Sequence, residues 1–243
     1  SGNNAWNPAR TGTGKFVYLV DTGINNLHNE FIGSTIQNLW SAFADDDDVS
    51  TYGDAGGHGT AVASMIIGTN IGSAKDAYLQ NVKLFNTNGG DVTVGEIINS
   101  LSACLVHHKA NTQTDVKAVC LPWTIPVNAF VDAKILEMNA SNMVVVAAAG
   151  NDGVDVNTKS PAGVNEIITV GSFNSDEQVT SFTNAPQSSS NSFVNYGAEL
   201  DIFAIGVGID VADSTNVSNY LAGTGTSLSA GLVAGVVTHY VQR

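Results

Sequence analysis

The sequence predicts an α/β protein built on a mostly parallel sheet, and three observations support this fold class. Short apolar runs at residues 16–20, 78–85, 116–121 and 143–149 have the length and composition of strands. Apolar residues at helical spacing lie between them, at 94–109 and 127–141. The run at 143–149 is apolar throughout, which indicates a sheet buried on both faces. This alternation of strands and helices favours parallel strands joined by right-handed crossovers.

Length and composition fit one globular unit and exclude several classes of protein. The chain has 243 residues, of which 43% are hydrophobic and 13% charged, so it is too apolar for a disordered chain. Its longest apolar run is far shorter than the roughly 20 residues of a membrane span. The formal net charge is −13, whereas phosphate binding needs clustered Lys and Arg. We therefore expect neither a membrane nor a nucleic acid as a partner.

The two cysteines, Cys104 and Cys120, lie in apolar stretches, one helical and one strand-like. A single pair cannot make a disulfide-dense scaffold, and a buried free thiol behaves as a small hydrophobic group. The pair can form a bridge or stay free, and we expect both thiols to be free.

Four segments with reactive side chains adjoin the predicted elements. Asp21 ends the first strand, although such an aspartate is often only a cap or turn residue. A glycine-rich turn presents His58 at the start of a helix of small residues, and the strand at 143–149 runs into a turn that contains Asn151. Ser227 begins another small-residue helix. Residues that follow parallel strands meet at one edge of the sheet.

Together these four side chains meet the chemical requirements of acyl transfer to a serine. A serine hydroxyl needs a base such as His58 to take its proton. The imidazole needs a carboxylate such as Asp21 to orient it, and the oxyanion needs donors such as the amide of Asn151. At a helix N-terminus, Ser227 also gains free backbone N–H groups and the positive end of the helix dipole.

With these segments in this order, the chain resembles the subtilisin-like serine proteases (subtilases), and most closely their proteinase K branch. The matching stretches are Val20-Asp21-Thr22-Gly23-Ile24, His28-Asn29-Glu30-Phe31, His58-Gly59-Thr60, Ala148-Ala149-Gly150-Asn151 and Gly225-Thr226-Ser227. The resemblance implies a three-layer subtilisin-like fold with a mostly parallel central sheet and helices on both faces. It also implies a single peptidase domain over residues 1–243 that ends earlier at its C-terminus than typical relatives.

The resemblance implies a serine endopeptidase that hydrolyses peptide bonds through an acyl-enzyme intermediate. Ser227 is the implied nucleophile, His58 its base and Asp21 the residue that orients His58. Asn151 and the Ser227 backbone N–H are the implied oxyanion donors. The resemblance further implies a protein or peptide substrate, no required cofactor, a propeptide that has been removed, and secretion.

The implied substrate-binding strand departs from the family. The family usually has Ser-Leu-Gly-Gly, whose backbone pairs with the substrate. Here bulkier residues or proline replace the glycines, and the register is ambiguous by two residues. The implied substrate-binding residues are Cys120, Leu121, Pro122, Trp123, Ala148, Ala149 and Gly150. Proline lacks a donor N–H, and Trp123 can occupy the space of a substrate side chain, so we expect altered or narrowed specificity.

Further departures concern the nucleophile's helix and calcium. Gly231 replaces the proline that usually follows the nucleophile, and we expect it to loosen that turn. Asn174 stands where the branch usually has a calcium-ligating aspartate, so calcium binding stays open and the metal ligands unknown. The four aspartates at 45–48 are explained by a solvated loop, or by a calcium or cationic-substrate site. We expect no catalytic role for four other residues. Asp54 is predicted to be a turn residue and His28 a packed structural histidine. His107 and His108 are predicted to be exposed near a helix end.

Two alternatives remain. One is a subtilase-fold binding or structural protein whose cleft is blocked by Pro122 and Trp123. The other is a processing protease that cleaves one partner or itself. An active site requires an open groove and His58 within about 3.2 Å of Ser227, or slightly farther in the free enzyme.

Overall fold

The computed structural model describes residues 11–43, 53–54, 56–86, 92–111, 117–175 and 194–241. The strands are β1 (Phe16–Asp21), β2 (Thr35–Ser41), β3 (Tyr78–Lys83), β4 (Lys117–Leu121), β5 (Ile125–Pro126), β6 (Met143–Ala148), β7 (Lys159–Ser160), β8 (Ile168–Phe173), β9 (Ile202–Ile205), β10 (Val207–Ala212) and β11 (Tyr220–Thr224). The α-helices are α1 (His58–Ile67), α2 (Val94–Ala110), α3 (Ala129–Ala140) and α4 (Thr226–Tyr240). Every strand and helix that the sequence predicts is present.

Seven strands form one parallel sheet in the order β2-β3-β1-β4-β6-β8-β9. The pairs β5–β7 and β10–β11 are short, antiparallel and separate from it. The strands that follow β1 along the chain, β2 and β3, lie on one side of it in the sheet. After α2 the chain crosses to the other side of β1 and forms β4. This reversal opens a crevice at the carboxyl ends of β1 and β4, where ligands bind in open α/β sheets.

Helices cover both faces of the sheet, because successive side chains of each strand point to opposite sides. On one face, Leu19 and Cys120 belong to an apolar cluster that also contains residues of α1 and α4. On the other face, Val20 and Leu121 pack in a second cluster with residues of α2 and α3. The predicted three-layer α/β architecture is therefore confirmed.

The flanking strands β2, β8 and β9 are not among the strands that the apolar runs predict. β2 is an edge strand of the sheet and reads Thr-Ile-Gln-Asn-Leu-Trp-Ser, with only Ser41 buried. β9 forms the opposite edge and is only partly buried. The edge strands are therefore held mainly by pairing with a neighbouring strand, whereas the central strands are held by burial of their apolar side chains.

The expectations about the two cysteines and about Gly231 have clear outcomes. Cys104 and Cys120 are free and buried, as predicted, and burial raises the pKa of both thiols. Gly231 does not loosen α4, which continues unbroken to Tyr240. A Cβ atom at residue 231 would lie 2.9 Å from the Cγ1 atom of Val62 in α1, so the glycine allows the two helices to approach closely.

The prediction that His107 and His108 are exposed is wrong, because both are half-buried against the sheet and α3. The Nδ1 atom of His107 lies 2.9 Å from the hydroxyl of Tyr18. The Nε2 atom of His108 lies 2.7 Å from the carbonyl oxygen of Ser141. Burial is the main cause that lowers the pKa of both histidines.

Candidate active site

Asp21 is the last residue of β1, and its buried carboxylate holds the imidazole of His58. Asp21 Oδ1 and Oδ2 lie 2.8 and 2.9 Å from His58 Nδ1. Asp21 Oδ1 also accepts a hydrogen bond of 2.6 Å from the backbone N–H of Thr22. An ionised carboxylate only accepts, so Nδ1 carries the hydrogen and Nε2 is left as the basic nitrogen.

Glycines bring His58 to the end of β1. Gly57 precedes α1 with φ of 83°, in the left-handed region where glycine is favoured. Gly59 lies so close to the chain after β1 that a Cβ atom there would be 2.1 Å from the carbonyl oxygen of Gly23. The His58 side chain remains 45% exposed, so a substrate can reach the imidazole.

Asp54 joins the start of α1 to the end of β1. Its Oδ1 accepts hydrogen bonds from the N–H of Gly57 at 2.7 Å and the hydroxyl of Thr22 at 2.8 Å. Its Oδ2 accepts from the N–H of Thr60 at 2.7 Å. The Thr22 oxygen in turn accepts from the N–H of Gly59 at 2.9 Å. Asp54, which the sequence predicts as a turn residue, is thus an acceptor for the N–H groups at a helix N-terminus.

The charge of Asp21 is the main reason that the pKa of His58 lies above its usual value of 6.5. Burial lowers the pKa of His58, while the hydrogen bond to Asp21 and the charge of Asp54 raise it further. A raised pKa means that the site stabilises the imidazolium, which is the form that a general base acquires during proton transfer.

Ser227 lies in the first turn of α4, where backbone N–H groups have no acceptor within the helix. Its N–H can therefore donate to an oxyanion. The Ser227 hydroxyl donates to the carbonyl oxygen of Pro122 at 2.7 Å. In this conformation the hydroxyl hydrogen points to Pro122 and not to His58.

Thr226 fixes the amide of Asn151. Asn151 Oδ1 accepts hydrogen bonds from the N–H of Thr226 at 3.1 Å and from its hydroxyl at 3.0 Å. The Thr226 oxygen also accepts from the N–H of Gly150 at 3.1 Å. Since a backbone N–H can only donate, the oxygen of the Asn151 amide must face Thr226 and its NH₂ group is free to donate elsewhere.

Asn195 holds the loop that carries Asn151. Asn195 Oδ1 accepts from the N–H groups of Asp152 at 3.1 Å and Val154 at 3.0 Å, and Asn195 Nδ2 donates to the carbonyl oxygen of Ala149 at 2.8 Å. The sequence pattern assigns no role to Asn195, Thr22 or Thr226, because their contacts join segments that are distant along the chain.

The sequence is similar to those of known proteins. The subtilase family model of the S8 peptidases matches residues 12–243. The chain belongs to the subtilase family. A subtilisin-like protease of Coccidioides posadasii is 30% identical over 98% of this chain and 54% of its own length. An extracellular serine proteinase of a Thermus species is 34% identical over 96% of this chain and 52% of its own length.

A solved structure gives the same result for the fold. The crystal structure of a cold-adapted subtilisin-like serine proteinase aligns with a TM-score of 0.81 at 30% identity, covering 98% of this chain and 78% of the other. Similarity also extends to a cuticle-degrading serine protease of Arthrobotrys oligospora, 29% identical over 95% of this chain and 52% of its own length. This subtilase chain therefore spans about half the length of these curated relatives. The resemblance to subtilases of the proteinase K branch is confirmed.

The residues predicted to bind substrate lie in two segments that approach the subtilase site from β4 and β6. Cys120 and Leu121 are fully buried within β4, which pairs with β1 and β6, so their side chains face the core. Ala148 and Ala149 are also buried. Among these predicted residues, Pro122 accepts a hydrogen bond from the Ser227 hydroxyl and Gly150 donates one to Thr226.

Trp123 lies in the core and not in the space that the sequence assigned to a substrate side chain. Its Nε1–H donates to the carbonyl oxygen of Val20 at 3.0 Å. Its ring packs edge-on against Phe85, with centroids 6.1 Å apart. The indole is 9% exposed and belongs to the apolar cluster on the side of α2 and α3. Trp123 therefore supports the sheet beneath the cleft.

His28, which matches a subtilase motif, has the packed structural role that the sequence allows. It is fully buried, and its Nδ1 accepts from the N–H of Glu30 at 3.1 Å. The opposite nitrogen, Nε2, therefore donates to the carbonyl oxygen of Asn219 at 2.8 Å. Burial alone raises the pKa of Glu30, but hydrogen bonds from Tyr220, Asn70 and the backbone outweigh it and lower that pKa.

The described part of the chain shows neither a metal-ligand cluster nor a membrane-spanning helix. It contains no group of three or more His, Cys, Asp or Glu side chains that could hold a metal ion. The aspartates at 45–48 lie outside the described residues, so the expectations about calcium and cofactors stay predictions. No helix in the described ranges is long and apolar enough to cross a membrane.

Proposed function

We propose that this subtilase is a serine endopeptidase with Asp21, His58 and Ser227 as its catalytic triad. The observation that carries the proposal is the Asp21–His58 pair, with Nδ1 bound at 2.8 Å, in a chain that also presents a serine in the first turn of α4. In the proposed reaction the Ser227 hydroxyl turns from Pro122 to His58 Nε2. The serine oxygen then bonds to the scissile carbonyl carbon while its proton passes to His58.

The carbonyl oxygen becomes an oxyanion that accepts hydrogen bonds from the Asn151 NH₂ and the Ser227 N–H. His58 then gives its proton to the departing amine, the C–N bond breaks, and the acyl chain remains on Ser227. A water molecule, deprotonated by His58, hydrolyses this ester and restores the serine. Asp21 stays ionised throughout and stabilises the imidazolium.

The proposed substrate is a protein or peptide, and the proposed location is outside the cell. The relative in Thermus is named an extracellular serine proteinase, and two relatives in Arthrobotrys and Orbilia are named cuticle-degrading. These names support secretion of this chain as well. A removed propeptide, and the exclusion of membrane and nucleic-acid partners, remain predictions.

A fluorophosphonate, which labels activated serines, tests the proposal. The wild-type protein should be labelled at Ser227, confirmed by peptide mass, and Ser227→Ala should not be labelled. His58→Ala should react at least about 10³-fold more slowly, because it removes the general base. Circular dichroism on all three proteins separates loss of the site from loss of the fold.

An inactive binding protein is the second candidate, because the Ser227 hydroxyl donates to Pro122 and not to His58. A folded wild-type protein that resists labelling would support this candidate and refute the peptidase proposal. If labelling succeeds, a peptide library distinguishes a general endopeptidase, which cleaves many sequences, from a processing protease, which cleaves few.

A further inference from the structure

The space beside Ser227 lies between two short segments of backbone. One follows β4 and includes Pro122, whose carbonyl oxygen is 2.7 Å from the Ser227 hydroxyl oxygen. The other follows β6 and includes Gly150 and Asn151, both hydrogen-bonded to Thr226. In the proposed reaction the peptide carbonyl carbon meets Ser227 and its oxygen lies at Asn151, so the residue on the acyl side of the bond lies beside these segments.

Thr124 reaches across this gap. A Cβ atom on Gly150 would lie 3.3 Å from the Thr124 Cγ2 methyl, so that methyl lies directly against the Gly150 backbone. Thr124 is two residues beyond Pro122, so its methyl connects the segment that follows β4 to Gly150 in the segment that follows β6.

Strand pairing holds one side of this gap, and hydrogen bonds hold the other. Ile125, the next residue after Thr124, begins β5 and pairs with Ser160 of β7. On the other side, the N–H of Asn195 donates to the carbonyl oxygen of Gly150 at 3.0 Å, and Asn195 Nδ2 lies 2.4 Å from the position of a Cβ on Gly150. The Thr124 methyl is thus held in a fixed gap.

An ion pair connects the same two sides. Lys159 lies in β7, which is paired with β5, and its Nζ is 2.6 Å from Oδ2 of Asp152. Asp152 directly follows Asn151. The pair therefore adds a second link between the segments that follow β4 and β6.

We infer that Thr124 restricts the residue on the acyl side of the scissile bond to a small side chain, namely glycine, alanine or serine. The inference rests on the proposed peptidase function. A filled pocket discriminates by size because each excess methylene group must displace packed atoms. Thr124 is therefore a specificity-determining residue that contacts the substrate.

The test uses tetrapeptide p-nitroanilides that differ only in the last residue, alanine or phenylalanine. The wild-type protein should have a kcat/KM at least tenfold higher for alanine than for phenylalanine. Thr124→Gly should raise the phenylalanine-to-alanine ratio at least tenfold, and Thr124→Ser, which lacks only the methyl, should raise it by less. Thr124→Val keeps the methyl and should not raise the ratio.

Equal wild-type hydrolysis of both peptides, or an equal rise in Thr124→Gly and Thr124→Val, would overturn the role of Thr124. In that case fluorophosphonate labelling of Ser227 shows that the peptidase proposal still stands. A folded wild-type protein that neither reacts with fluorophosphonate nor cleaves either peptide refutes both. Urea unfolding of each variant shows whether any loss of activity reflects loss of folding.

Discussion

The hydroxyl of Thr226 is expected to position the oxyanion donor without contacting substrate. Thr226 is fully buried and joins β6 to α4 through two hydrogen bonds, one of 3.1 Å from Gly150 and one of 3.0 Å to Asn151. Thr226→Val removes both bonds but keeps the branched shape of the side chain. This substitution therefore tests the hydrogen bonds separately from packing.

Two magnitudes follow from this geometry. A buried Gly150 N–H without an acceptor lowers the free energy of unfolding by about 1–3 kcal/mol. Asn151 Oδ1 keeps its other hydrogen bond, from the Thr226 N–H at 3.1 Å. The loss in kcat should therefore be smaller than the roughly 10²–10³ associated with removing an oxyanion donor. We expect a decrease of about tenfold, equivalent to about 1.4 kcal/mol.

The assay is steady-state hydrolysis of the alanine p-nitroanilide, together with the rate of fluorophosphonate labelling and urea unfolding. Thr226→Val should lower kcat and the labelling rate together and leave KM nearly unchanged, because the donor acts mainly on the developing oxyanion. Thr226→Ser keeps the hydroxyl and should retain most of the activity. Wild-type kcat in Thr226→Val, or an equal loss in Thr226→Ser, would refute the reasoning.

Three further predictions concern charge, accessibility and close packing. The acidic limb of the pH profile of kcat/KM should have its midpoint above pH 6.5, because activity needs neutral His58 and the pKa of His58 is raised. Asp54→Asn should move this midpoint to lower pH, because the charge of Asp54 helps to raise that pKa. An unchanged midpoint would contradict the role of Asp54. Both buried thiols should not react with an aromatic disulfide reagent in the native protein. They should react in 6 M guanidinium, roughly the concentration that unfolds even hyperstable domains. Rapid reaction in the native protein would contradict their burial. Gly59→Ala should lower the free energy of unfolding by roughly 3 kcal/mol or prevent folding. The control is Gly95→Ala, whose added Cβ atom would have its nearest neighbour at 3.8 Å. This control should keep a thermal stability near that of the wild type.

The sequence predicted the centre of the fold more completely than its edges. The central strands β1, β4 and β6 are buried on both faces, so their composition alone identifies them. The edge strands carry polar residues and depend on their neighbours for order. Packing also reversed two expectations, since Trp123 supports the core and Gly231 brings α4 close to α1.

What the sequence by itself determined was the set of reactive groups and their position along the chain. Asp21, His58, Asn151 and Ser227 each lie at the end of a strand, after a strand or at the start of a helix. Local patterns of glycine and apolar residues are sufficient to indicate those positions. These signals are local because they depend on the conformation of a few consecutive residues.

Only the tertiary structure decided how those groups are held and how much room they leave. Asp54 aligns two segments, Thr226 orients the amide of Asn151, and the Thr124 methyl lies against Gly150. Each of these contacts joins residues that are far apart in the chain. Such distances depend on the packing of whole strands and helices, so no pattern within a single segment could have predicted them.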